Sequence, residues 1–362
     1  MYDIGFYMKS FDLLKRVETG EVKEVEMVAN ELDGFRSREP VVYNIETTNA
    51  CNMRCAMCPR TTMMTRHVET MPADLFKRVV EQLSFFSEGQ WAAWERFVAE
   101  KYGVVAGDMS ENHFFLLIIP KIIQLHGYGD PLLDNNMPEY VKLLAKRGLF
   151  SYFSCNPANI DMDKTVQMFE NGLDYIKYSI ESVEDSKHKE IRGAASDFSE
   201  SYRKICSLLD LKRRNGYKTV VIITMLDLNR KEQADDFKKL RAAFSGKDVY
   251  IYLKSEDQQW YRKDFHGTKS VHWSEICKHP WMSMTVKSNG EAVMCMEDFN
   301  NEIILGDARK DNLYDIWNGE KYVRFRKDHF NLTRGMKCTE ECDMKLIGSF
   351  FKGKEAHSSQ SI

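Results

Sequence analysis

The chain has 362 residues, 43% of them hydrophobic, and a formal charge of −3 from 51 basic and 54 acidic side chains. Charges of both signs are dispersed, which excludes the electrostatic footprint of a nucleic-acid or anionic-membrane binder, and no run approaches the ~20 apolar residues of a membrane span. Nine cysteines follow an N-terminus, MYDIGFYMKSFDLL, that lacks the charged-then-apolar order of a signal peptide. Together they predict a cytoplasmic protein whose thiols bind metal and do not pair. The length suits a barrel of about 200–250 residues plus a smaller module.

Residues 1–40 are mixed and charged. They predict a helical extension, with helices near Phe11–Thr19 and Val22–Leu32. From Val41 to Thr48 the sequence alternates and is β-branched, the pattern of a strand. The run CNMRCAMC then falls on the loop after that strand's C-terminal end, where barrel enzymes of the β/α class carry their active sites. Cys51, Cys55 and Cys58 offer three thiolates to an iron–sulfur cube that needs four ligands. Electron-transfer clusters are capped on every iron, and a site one ligand short is built for chemistry at the metal, as open zinc sites are. Chance yields this spacing in roughly 0.5% of such chains, and no second cysteine pair lies close enough for a zinc motif.

On these residues the chain resembles the radical S-adenosylmethionine (SAM) enzymes, whose signature is this triplet after the first barrel strand. The resemblance implies that SAM chelates the open iron and is cleaved reductively to a 5′-deoxyadenosyl radical. It also implies a flavodoxin- or ferredoxin-type reductant as partner. Met57 stands where that family usually has an aromatic residue, and a thioether also covers an adenine face.

Pro72–Leu83 has helical spacing, and residues 85–115 read as a helical, Trp-rich insertion. It either packs against the barrel or forms a lid or partner surface. IIQLHGYGDPLLD is strand two, with Gly129-Asp130-Pro131 where the family carries Gly-Glu-Pro, a segment that contacts the SAM amino group. FSYFSCNPANI is strand three, ending at Cys155-Asn156, where relatives often have Thr-Asn. LDYIKYSIES is strand four and turns Ser179 and Glu181 toward the expected ribose site. HKEIRG resembles the family's His-x-x-x-Arg-Gly, which makes Arg192 a partner of the SAM carboxylate; a surface salt bridge is the competing reading. KTVVIITML and DVYIYLK complete six strands. The fold class is therefore α/β, a partial (β/α)6 TIM-like barrel over residues 41–258.

Past residue 259 the texture changes. Cys277, Cys295, Cys338 and Cys342 form a second set, and Gly290 in KSNGEAV marks a hairpin turn that draws Cys277 toward Cys295. From spacing alone, zinc rivals a cluster. The Pro-Trp after Cys277, the Asn-Gly turn, Leu-Gly-Asp and Ile-Trp-Asn-Gly resemble the SPASM/twitch auxiliary-cluster module. That resemblance implies an auxiliary domain over 259–345, a second [4Fe-4S] cluster capped by four cysteines, and a flexible tail over 346–362. Cys155 and Cys206 remain as core residues. The expected activity is hydrogen abstraction from a small hydroxylated metabolite such as an amino sugar, cyclitol or sugar nucleotide, with the auxiliary cluster accepting an electron. The alternative is modification of a peptide or protein side chain. Lys254, Glu256, Tyr261 and His266 are candidates for the base that an alcohol oxidation needs.

Overall fold

The computed structural model describes residues 1–22, 25–228, 230–254, 277–331, 333 and 335–340. Six strands, β1 (Val42–Ile45), β2 (Ile122–Gln124), β3 (Phe150–Cys155), β4 (Tyr175–Ser179), β5 (Val220–Leu226) and β6 (Tyr250–Lys254), run parallel in sequential order. Helices such as Met137–Lys146, Met162–Glu170 and Phe198–Asn215 connect them, as parallel neighbours require.

Alternation along each strand sorts side chains into two populations. Ile176, Tyr178, Val221, Ile223 and Met225 face the helices and form the outer core. Tyr152, Ile222, Tyr250 and Tyr252 face inward and form the barrel's own core with the N-terminal helix. The register puts Ser154 beside Lys177 and Ser179 beside Thr224. The inward face thus turns from aromatic to polar toward the C-terminal ends of the strands.

The sheet does not stop at the barrel. A hairpin of β7 (Met284–Val286) and β8 (Glu291–Val293) adds to the free edge of β1, with Val42 opposite Met284, and β9 (Ile304–Asp307) extends it to nine strands. Gly290, at φ +86°, makes the expected turn.

Three expectations shift. The first helix spans Ile4–Glu18 and not Phe11–Thr19, because Asp3 Oδ1 accepts from Phe6 N at 2.8 Å and caps it while Ile4, Phe6 and Tyr7 are buried. The second spans Val25–Phe35. Within residues 85–115, Ser87 and Gln90 form a reciprocal capping box on the helix Glu88–Tyr102. Its Trp94 is fully buried, edge-on to Tyr7 at 5.2 Å, and donates from Nε1 to Leu116 O at 2.7 Å. Phe114–Ile118 follows as a buried π-helical turn and puts Phe114 5.5 Å from the Tyr152 ring. The insertion packs into the barrel. Cys206 is half-buried, not core as expected. No helix among the described residues is long and apolar enough to cross a membrane.

Candidate active site

The segment after β1 is folded back on itself before the cysteines do anything. Thr48 bridges to Thr70, and Asn49 accepts from Glu69 N at 2.7 Å while donating to His67 O at 2.7 Å. Its far side is clamped by Ala56 N donating to Ile191 O at 2.9 Å and Arg54 N donating to Arg192 O at 3.2 Å. Cys51, Cys55 and Cys58 therefore sit on a fixed loop, in an apolar cluster with Met53, Met57 and Ile191. Burial pushes the Cys51 thiol up to about 11 and the Cys58 thiol up to about 12. Metal binding at such a site must displace protons.

The three cysteines and all the positions expected to meet SAM, Met57, Gly129, Asp130, Asn156, Ser179 and Arg192, border one cavity at the C-terminal ends of the strands. Gly129 is there because nothing larger fits: a methyl on its Cα would lie 2.2 Å from Thr48 O. Asp130 N donates to Ala50 O at 2.8 Å, which locks this turn to the cysteine loop. Asp130 Oδ2 accepts from Asn156 N at 3.0 Å and Asn159 Nδ2 at 2.8 Å, and Oδ1 accepts from Leu132 N at 3.0 Å. Acceptor capacity for an ammonium thus remains chiefly on Oδ1. Asn156 Nδ2 donates to Ser196 Oγ at 3.0 Å, which in turn meets His188 Nε2 at 2.8 Å. Ser179 Oγ lies 3.4 Å from Ser154 Oγ.

Arg192 makes no surface salt bridge. Its Nη2 donates to Glu181, a fully buried carboxylate whose other oxygen accepts from Leu226 N at 2.9 Å. Nη1 reaches Cys55 Sγ at 3.7 Å. Among the described residues its buried Nε has no partner, which leaves a donor suited to an anionic group. The residues fit the group that the resemblance implies: three soft thiols on one loop, one acidic side and one guanidinium. Among the described residues no three His, Cys, Asp or Glu side chains converge tightly enough for a single metal ion; a four-iron cube spreads its thiolates over separate corners.

Two residues that sequence reasoning passed over also line the cavity, His126 and Lys177. Burial, with Lys254 and Arg192 adding, pushes the Lys177 amine down to about 7. The alternation of Y-I-K-Y-S, which puts Lys177 on the face of Ser179, was the available signal. Of the earlier base candidates, Lys254 borders the cavity; Glu256, Tyr261 and His266 lie outside the described residues, as does the tail.

In the second cysteine set, Cys295 and Cys338 are buried and Cys277 is half-buried. Cys277 N donates to His329 Nε2 at 3.1 Å, and Glu297 N to Cys295 Sγ at 3.5 Å. Cys342 lies outside the described residues. The two sets meet through Tyr128, whose hydroxyl donates to Glu297. Burial raises the Tyr128 phenol well above its ordinary value, with Glu297, Cys58 and Cys295 adding; it is within electrostatic reach of a cysteine of each set.

Fold and site together define a partial α/β barrel with a cysteine-bearing module built onto its first strand. Residues 277–343 match SPASM, an iron-sulfur cluster-binding domain, and the barrel before them has the fold that the resemblance implied. SuiB of Streptococcus suis bound to S-adenosylmethionine is 12% identical, with 94% of this chain and 82% of that chain covered and a TM-score of 0.53. SuiB bound to precursor peptide SuiA is 13% identical, covering 91% and 77%, at 0.52. BtrN in complex with AdoMet and 2-DOIA is 16% identical, covering 83% and 96%, at 0.45. The shared fold rests on SuiB. No curated protein matches the chain.

Proposed function

We propose that this chain is a radical SAM enzyme that abstracts hydrogen from a small hydroxylated metabolite and oxidises it, with two [4Fe-4S] clusters. Cys51, Cys55 and Cys58 hold the SAM-binding cluster, and Cys277, Cys295, Cys338 and Cys342 the auxiliary one. When bound, these groups supply a SAM-derived radical and a one-electron acceptor. Met57 packs at the adenine, Gly129 and Asp130 at the SAM ammonium, Asn156 and Ser179 at the ribose, and Arg192 at the carboxylate.

The observation that carries this reading is a cavity lined both by the cysteine triplet and by inward polar side chains, Gln124, His126, Ser154, Lys177 and Thr224. Fold alone does not choose between a small molecule and a peptide. A recess floored by Phe114 and ringed by hydrogen-bonding groups suits a compact polyol. The barrel residues bind it, exclude water and hold its hydroxyl toward a proton acceptor. Anaerobic incubation of the reconstituted protein with SAM and dithionite should release 5′-deoxyadenosine and raise its yield with polyols, not with short peptides. Iron-replete protein that releases none overturns the proposal.

A further inference from the structure

Lys177 is an unusual occupant of a barrel interior. It sits in the middle of β4, opposite Ser154 on β3 and Ile222 on β5. Its amine lies 5.4 Å over the Phe114 ring and 5.7 Å over the Tyr152 ring. Among the described residues no carboxylate or carbonyl takes a hydrogen bond from it, and the side chain lines the cavity. A buried cation without an ion-pair partner is costly, and loss of the proton relieves that cost.

Across the same recess, Ser154 N donates to His126 Nδ1 at 2.9 Å, and the His126 ring stands edge-on to Tyr152 at 5.2 Å. The Nδ1 lone pair is thus committed to an amide, and the neutral ring carries its proton on Nε2. Burial, with Lys177 adding, holds the imidazolium form well below the ordinary histidine range. One side of the recess therefore offers an amine and the other a fixed N–H donor.

We propose that Lys177 is the catalytic base for alcohol oxidation, taking the hydroxyl proton of the substrate while the His126 Nε2–H orients the same oxygen. The inference rests on the function proposed above and names the base it requires. The carbinol hydrogen atom leaves to the SAM-derived radical, and the O–H proton passes to the Lys177 amine. The C–O bond becomes C=O, and the one remaining electron passes to an iron–sulfur cluster as one-electron oxidant. The groups that face Lys177 are Lys254 from β6, Arg192 from the helix after β4, Glu111 from the segment before Phe114, Cys155 from β3 and His126 from the loop after β2. Burial and the two cations, Lys254 and Arg192, outweigh Glu111 and Cys155, and the amine is pushed down to about 7. That value is close to the optimum for a base at neutral pH.

The test is competitive acetylation of the reconstituted holoenzyme with acetic anhydride at a series of pH values, read peptide by peptide by mass spectrometry. Lys177 should reach half-maximal labelling near pH 7, well below the ordinary lysine range. Labelling confined to that ordinary range, or no labelling, overturns the proposal without any substrate. In a second arm, Lys177→Met and Lys177→Arg receive SAM, dithionite and myo-inositol as probe alcohol. Carbonyl formed per 5′-deoxyadenosine released should fall roughly 100-fold in both, since arginine restores the charge but not a neutral amine. An unchanged ratio overturns the base assignment. Failure of the wild-type holoenzyme to release 5′-deoxyadenosine sinks the broader reading instead.

Discussion

The Tyr128 hydroxyl donates to the Glu297 carboxylate, and both groups are buried. Tyr128 belongs to the turn after β2, and Glu297 follows Cys295 by two residues. This one hydrogen bond ties the wall of the cavity beside the cysteine triplet to the loop of the second cysteine set. Lys287 stands 5.6 Å over the same ring, and Phe299 meets its edge at 5.6 Å.

Removing that hydroxyl leaves a buried carboxylate short of a donor, which costs about 1–3 kcal/mol. Tyr128→Phe should therefore lower the unfolding free energy from urea titration by that amount, with m and iron content unchanged. A midpoint equal to wild type would show that the contact adds nothing net.

Glu46 is a second tie. It is fully buried and accepts from Arg66 Nη2 at 2.8 and 2.9 Å, from Ser288 Oγ at 3.1 Å, and faces Lys287 Nζ at 4.0 Å. Burial alone raises its pKa, but Lys287 and Arg66 together hold it below the ordinary value. A depressed folded-state pKa adds stability above the unfolded value, and that stability is lost as pH falls through the folded one. Arg66→Met should cost roughly 3–5 kcal/mol at neutral pH and flatten the loss of stability below the ordinary carboxylate range. Parallel pH–stability curves for variant and wild type would contradict this.

Trp94→Ala removes a fully buried side chain from the insertion and its bond to Leu116 O. A cost of about 3–5 kcal/mol in chemical denaturation is expected. A cost below roughly 1 kcal/mol would mean that the insertion is peripheral to folding.

Gly129→Ala brings a methyl to within 2.2 Å of Thr48 O, and backbone on both sides must move. SAM affinity by equilibrium dialysis should fall at least about tenfold, roughly 1.4 kcal/mol. At Gly127→Ala the nearest atoms belong to the Glu46 side chain, at 2.2 Å, and not to backbone of the cysteine loop, so SAM should be disturbed less.

Much of the site was legible because the chemistry is local in sequence. Three cysteines within eight residues point to an open cluster by their spacing alone, and the fold brings all three to one cavity. Alternation over β3 to β6 reports which side chains face a barrel interior, since a strand reverses direction at every residue. The six parallel strands and the Gly290 hairpin follow from such short-range rules. The early start of the first helix was not legible, since Asp3 acts as a cap only where Phe6 and Tyr7 have an aromatic core to enter.

Other features required distant segments to meet. That Arg192 pairs with a buried Glu181, that His126 and Lys177 face each other across one recess, and that residues 85–115 plug the barrel are consequences of packing between elements far apart in the chain. The edge pairing of β1 with β7 is of the same kind: open backbone groups on the first strand accept a hairpin from some 240 residues later. Sequence determined which atoms are available for metal and hydrogen bonding. Tertiary structure decided which of them lose water, and loss of water is what draws a lysine amine toward its neutral form.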